Sequence, residues 1–180
     1  MASRIVLIDG SSLIFRAFFA IPNSFSTASG LHTNATYGFA LMFRKILAGK
    51  TPEFAAMIFD APGATFRDEK FADYKAHRPQ MAGELAEQLP WIDRVVDVHR
   101  FPTLRVPGFE ADDVIGTLTR MGLEAGHEVH IISADKDFAQ LIGDRVKMVD
   151  TMRDITYDAE LVRKKWGVPP SQMRDYLALV

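Results

Sequence analysis

The sequence contains no cysteine, which excludes disulfides and thiolate metal ligands and fits a reducing compartment. It also has no hydrophobic run long enough for a signal peptide or a membrane span. The apolar stretch after Arg4 stops at Asp9, so a cytoplasmic location is expected. A large excess of either sign of charge is missing too. The net charge is −2, so no global basic field attracts a polyanion, and any nucleic acid must be held by local patches. A Gly-rich phosphate loop, a Gly-x-Ser-x-Gly elbow and a His-Glu-x-x-His pattern are all lacking. Use of a nucleotide cofactor, covalent catalysis by an elbow serine and a histidine-spaced metal site are therefore unsupported. No repeat, low-complexity tract or linker divides the 180 residues, so one domain with a sizeable core is expected.

What is present reads as an ordinary globular chain, 48% hydrophobic and 24% charged. Ile5 to Ile8, Phe54 to Phe59, Glu128 to Ser133 and Val146 to Val149 are short apolar runs of the kind that form buried strands. Leu104 to Val106 adds a weaker strand. Helical spacing covers Ser11 to Phe19, with Ser11 or Ser12 as the cap, and Asn34 to Leu47. It continues in Glu84 to Val98 with a kink at Pro90, Glu110 to Ala125, Ala159 to Trp166, and a last helix after Pro170. Strands alternating with helices predict an α/β layer fold with a largely parallel sheet.

Acidic residues fall where such a fold places ligands. Asp9 and Asp60 each end an apolar strand, and Asp135 and Asp137 follow a third. Glu110, Asp112 and Asp113 occupy the first turn of a helix, where the dipole favours negative charge. Acidic first turns are common, but three acids exceed what the dipole needs. If the seven carboxylates converge, their mutual repulsion requires cations between them. Oxygen-only donors suit a hard divalent ion such as Mg²⁺ or Mn²⁺. Two such ions about 4 Å apart clamp a phosphodiester and activate water. Metal-dependent phosphodiester hydrolysis is the reaction that fits.

Residues 66 to 81 differ in character. Tyr74, Lys75, His77 and Arg78 interleave aromatic and basic groups, as contacts to a single strand do. A solvated amphipathic helix has the same composition, and the segment alone leaves both readings open.

Taken in order, several motifs carry a resemblance. They are Leu7-Ile-Asp-Gly-Ser-Ser12, Tyr37-Gly-Phe39, Phe59-Asp-Ala61, Thr65-Phe-Arg67, Tyr74-Lys-Ala-His-Arg-Pro79, Val106-Pro-Gly-Phe-Glu-Ala-Asp-Asp-Val-Ile-Gly116 and Ala134-Asp-Lys-Asp137. Gln140-Leu141 and Gly167-Val-Pro-Pro170 complete the set. The chain resembles the 5′ nuclease (5′-3′ exonuclease/flap endonuclease) domain of bacterial DNA polymerase I, kin of phage 5′ nucleases. The resemblance implies a PIN-like (resolvase-like) three-layer fold with a helical arch. It implies two-metal hydrolysis of 5′ ends and 5′ flaps of DNA and RNA–DNA hybrids, as in primer removal and repair. Asp9, Asp60, Glu110, Asp112, Asp113, Asp135 and Asp137 are then the metal cluster, and Arg67, Tyr74, Lys75 and Arg78 the arch that grips the strand, Arg67 and Lys75 at the scissile phosphate. Loop residues 22 to 36 are expected near the duplex, and His32 stands where the family usually carries Pro. After Leu179 the family continues into a Gly-Asp-Ser-Ser-Asp-Asn-type motif and a helix–hairpin–helix region. The expectation is that residues 1–180 form the N-terminal catalytic domain, with the second metal site incomplete and the C-terminal DNA-binding region absent. Two alternatives follow: a DNA-binding module with weak or no cleavage, or a PIN-type ribonuclease.

Overall fold

The computed structural model describes residues 3–49, 52–71, 73–74 and 80–180. The chain opens with strand β1 (Arg4–Asp9), helix α1 (Gly10–Ala20) and, after a loop, helix α2 (Asn34–Leu47). Strand β2 (Phe54–Ile58) and the short helix α3 (Phe66–Lys70) follow. Next come α4 (Gly83–Ala86), α5 (Leu89–Val98) and the two-residue strand β3 (Thr103–Leu104). The longest helix of the second half, α6 (Ala111–Glu124), leads to β4 (Glu128–Ile132) and a 3₁₀ turn (Lys136–Leu141). Strands β5 (Val146–Asp150) and β6 (Ile155–Tyr157), helix α7 (Ala159–Trp166), a second 3₁₀ turn (Pro170–Gln172) and α8 (Met173–Leu179) complete it.

The six strands order as β3-β2-β1-β4-β5-β6, all parallel except β6, which runs antiparallel to β5. Period-2 alternation sends neighbouring residues of each strand to opposite faces. Ile8, Met57 and Ile132 pack with Phe39, Phe43 and Ile92 of α2 and α5 on one face. Leu7, Ile58 and Ile131 pack with Ile115, Val162 and Met173 of α6, α7 and α8 on the other. The largely parallel α/β arrangement predicted by the alternation of strands and helices is thus present, in the three layers that the resemblance implies. Among the described residues no helix is long and apolar enough to cross a membrane.

Three local expectations are corrected. The cap of α1 is Asp9, whose side chain accepts the Ser12 amide, rather than either serine. Residues 84–98 do not form one kinked helix. Pro90 sits in the first turn of α5, where its missing N–H costs nothing, and the chain breaks between α4 and α5 instead. Ile155–Tyr157 is a strand that the sequence pattern does not announce.

This topology fixes where the site must lie. From β1 the chain moves outward to β2 and β3, then crosses back to place β4 on the other side of β1. The order reverses between β1 and β4, and ligands of open α/β sheets bind outside the carboxyl ends at that switch point. Asp9 ends β1 there, and Asp135 follows β4. Gly10 is required beside it, because a Cβ at this position would collide with the Phe59 ring.

Candidate metal centre

The carboxylates reach one cleft by separate routes. Asp9 is 3% exposed and uses both oxygens: Oδ1 accepts the Ser12 N–H at 2.9 Å, and Oδ2 accepts the Ser133 hydroxyl at 2.8 Å. Asp60, just past β2, accepts the Ala111 N–H at 2.8 Å and so ties the end of the strand to the N-terminus of α6. Its own N–H donates to Ser11 Oγ at 3.2 Å. Glu110 is the N-cap of α6 and forms a reciprocal capping box with Asp113. Asp135 donates its N–H to Ser133 Oγ at 3.0 Å and accepts the Asp137 N–H at 3.0 Å. Ser133 therefore bridges Asp9 and Asp135 through one buried hydroxyl.

Asp9, Asp60, Glu110, Asp112, Asp135 and Asp137 all line a cleft of about 730 Å³. Oxygens of Asp112, Asp135 and Asp137 lie within 4.8 Å of one another, close enough to share one ion. The electrostatics match the geometry. Burial pushes the Asp9 carboxyl up to about 6 against the opposing hydrogen bonds from Ser12 and Ser133, with the charges of Asp135 and Asp60 adding to the rise. Asp112 is open to the cleft, yet protein crowds it: desolvation first, then Asp9, Asp135, Asp60 and Glu110, raise it to about 7. Two carboxyls whose ionisation is held back to nearly neutral pH, in a donor set made only of oxygens, are what a divalent cation relieves.

Asp113 is placed differently from the other six. It turns away from this cleft and takes the Arg67 guanidinium in a two-point grip, Nη2 lying 2.7 Å from Oδ1 and Nη1 bonding Oδ2. Arg67 Nη1 is also 3.7 Å from Glu110 Oε2. Helix α3 is set for this by a Thr65–Asp68 capping box and by the Phe66 N–H bonded to Gly108 O at 3.0 Å. The Tyr74 hydroxyl donates to Glu110 Oε2 at 3.1 Å, and the Arg67 guanidinium lies over the Phe66 and Tyr74 rings. Of the four residues expected to form the arch, Arg67 and Tyr74 thus rest against the acidic helix terminus. Among the described residues of 66–81, helix is confined to α3. Lys75 and Arg78 lie outside the described residues.

The cleft also contains residues that the sequence pattern does not single out: Phe15, Arg16 and Phe19 of α1, Lys136, and Lys165 and Trp166 of α7. Phe15 and Phe19 carried a usable signal, being large apolar residues spaced i,i+4 on an amphipathic helix and left exposed. Ser133 carried a weaker one, a hydroxyl at the end of an apolar strand two residues before an aspartate.

Comparison with known proteins agrees with this geometry. Residues 4–167 match the family model of the 5'-3' exonuclease N-terminal resolvase-like domain. A 5'-3' exonuclease of Aquifex aeolicus is 41% identical over 174 residues, covering 97% of this chain and 60% of that protein. DNA polymerase I of Bacillus caldotenax is 42% identical over 184 residues, covering 100% of this chain and 21% of that protein. The chain thus spans three-fifths of one relative and about a fifth of the other. A bacteriophage T5 flap endonuclease solved with DNA and metal ions superposes with a TM-score of 0.71 at 20% identity, covering 94% of this chain and 63% of that one. T5 5'-exonuclease with bound zinc gives 0.69 at 22% identity, covering 94% and 64%. At these identities the two structures speak to the fold, which they share with this chain. With nearly its whole length matched, the chain belongs to the family of 5'-3' exonuclease N-terminal resolvase-like domains.

Proposed function

We propose that the chain is the catalytic lobe of a divalent-metal-dependent 5′ nuclease, a 5′-3′ exonuclease and flap endonuclease acting on DNA. The observation that carries this reading is the convergence of six carboxylates on one cleft at the switch point of the sheet. Family membership and a T5 relative solved with DNA and metal ions support it. Mg²⁺ or Mn²⁺ suits an all-oxygen donor set, and RNA–DNA hybrids present the same phosphodiester chemistry to it.

Asp112, Asp135 and Asp137 would hold one ion, with Asp9, Asp60 and Glu110 around it. When bound, divalent cations neutralise the scissile phosphate and lower the pKa of an attacking water. The protein's own part is placement. Asp9 and Asp135 are fixed through Ser133, and Asp60 is fixed through the first amide of α6. Arg67 and Tyr74 stand beside this wall. When a strand enters, the Arg67 guanidinium can exchange Asp113 for a phosphate, a planar bidentate partner of the same kind. Asp113 then serves as the resting partner of Arg67 and as half of the capping box, and its place in the metal cluster is indirect.

Cleavage of a 5′-flap DNA should require Mg²⁺ or Mn²⁺ and stop in excess chelator. Undiminished cleavage in chelator would remove the metal from the mechanism. Binding of flap DNA without any cleavage would favour the binding-module reading. A second test concerns orientation. Ser133→Ala leaves a buried oxygen of Asp9 unsatisfied and frees Asp135, so metal affinity should fall roughly 10- to 100-fold. Thermal shifts titrated with Mg²⁺ measure this, and an unchanged midpoint would show that Ser133 does not orient the ligands.

A further inference from the structure

We propose that Lys165, in the last turn of α7, is a backbone-phosphate contact on the wall of the acidic cleft, binding the DNA strand whose scissile bond the carboxylates address. The proposal rests on the nuclease reading and adds a subsite to it.

Four observations carry it. Helix α7 ends in Arg163, Lys164 and Lys165, all exposed, but only Lys165 lines the cleft. Its ammonium is tied to a neighbouring strand. It turns onto β6, donating to Tyr157 Oη at 2.6 Å and sitting 4.5 Å from the centroids of both the Tyr157 and Trp166 rings. The two rings are themselves packed together, their centroids 5.6 Å apart. Although carboxylates crowd the same cleft, none among the described residues lies within 4 Å of Lys165 Nζ. The charge is therefore held in place by aromatic faces without being neutralised, which lowers the entropy lost when an anion binds. Finally, Lys136, between Asp135 and Asp137, lines the same cleft, as does Arg16, which is paired with Asp150.

The bland account is that Lys165 complements the helix dipole. Arg163 and Lys164 already serve that purpose from the same turn, and the dipole gives no reason for the cation to leave the helix for Tyr157. A strand brought to the acidic cluster, on the other hand, carries phosphates on both sides of the scissile one. Those phosphates need cations where the carboxylates do not supply metal. Lys165 stands at such a place.

The test is equilibrium binding of 5′-flap DNA by fluorescence anisotropy in Ca²⁺, across a salt series, with cleavage rates in Mg²⁺ measured in parallel. Lys165→Gln should raise Kd about five- to tenfold at physiological salt and reduce the slope of log K against log salt by about one. The Mg²⁺-induced thermal shift and kcat at saturating DNA should not change, and the melting temperature should fall by no more than a few degrees for the lost Tyr157 and ring contacts. Lys165→Arg should restore the slope. Lys164→Gln, on the same turn but outside the cleft, should change neither quantity. If Lys165→Gln fails to fold, Lys165→Met keeps the aliphatic stem over the rings and removes the charge with its hydrogen bond to Tyr157. An unchanged Kd and slope, or an equal effect from Lys164→Gln, overturns the subsite. A parent chain that binds no flap DNA overturns the nuclease reading itself, and the subsite with it.

Discussion

Asp112→Asn should do two opposite things: abolish metal-dependent cleavage and make the metal-free chain more stable above neutral pH. The first follows from geometry, since Asp112 shares the closest oxygen cluster with Asp135 and Asp137. Even second-layer partners of a metal ligand are worth 10- to 100-fold, so loss of a ligand should cost more than about a hundredfold. The second follows from the raised carboxyls. Between about pH 4 and 7 the folded chain holds protons on Asp9 and Asp112 that the unfolded chain releases. Stability of the metal-free chain therefore falls as pH rises through that window, and the whole penalty is present above it. For buried Asp9 the penalty is on the order of 3 kcal/mol. Asp112 adds less than its shift implies, because water in the cleft screens it. Removing the Asp112 charge relieves its repulsion with Asp9, Asp135, Asp60 and Glu110. A gain of about 2–6 °C in Tm at pH 8 is expected for a chain of this size. In the parent, Mg²⁺ at 100 times its Kd should stabilise by about 2.7 kcal/mol at pH 8, and the variant should lose that shift. If Asp112→Asn keeps the full Mg²⁺ shift, the ion sits elsewhere.

Much of this site could be read from the sequence because parallel strands give themselves away. A short β-branched run that stops on an acid places that acid at a carboxyl end, and Asp9, Asp60 and Asp135 all followed the rule. Two things were not readable. The first is helix phase. Asp112 and Asp113 are neighbours in sequence but about 100° apart around α6, so one faces the cleft and the other faces α3. The phase is set by the face that α6 buries, Ala111, Ile115, Thr119 and Gly122, and α3 then brings Arg67 to Asp113. The second is strand order. No local pattern reveals that β4 returns beside β1, yet that reversal creates the cleft and brings α7, with Lys165 and Trp166, to its wall. Strand β6 escaped for a related reason. It is three residues long and pairs with β5 across a tight turn containing Asp154 at φ 54°. Thr156 and Asp158 look like helix caps until the partner strand is present, and Asp158 does cap α7.

The largest stability effect is expected at the edge of the cleft, at the ion pair that joins α1 to the end of β5. Asp150 is 1% exposed, and Arg16 meets it through Nη1 at 2.6 Å and Nη2 at 3.3 Å. Burial alone would raise the Asp150 carboxyl. The hydrogen bonds and charge of Arg16, with the amides of Arg153 and Met152, overcome that and hold it below the ordinary aspartate range. A depressed pKa means that the pair contributes its stability at neutral pH and loses it only as pH falls through the folded value. Arg16→Met keeps the packing of the stem but leaves a buried carboxylate without its cation, which should cost about 3–5 kcal/mol in urea unfolding at pH 7.5. Arg153 is the competing consideration. Its Nε stands 4.0 Å from Asp150 Oδ2, but the side chain is two-thirds exposed. At that distance and in water it replaces little of what Arg16 supplies. Once the arginine is gone, burial is opposed chiefly by the Met152 and Arg153 amides, and Asp150 takes up a proton more readily as pH is lowered. The gap between variant and parent should therefore narrow toward pH 5. Asp150→Asn in the Arg16→Met background should recover most of the loss at pH 7.5, because the amide oxygen still accepts from Met152 and Arg153 without a charge to bury. A loss below about 1 kcal/mol, or one that does not change with pH, would mean that Arg153 or water already neutralises Asp150 and that α1 is anchored by its apolar face alone.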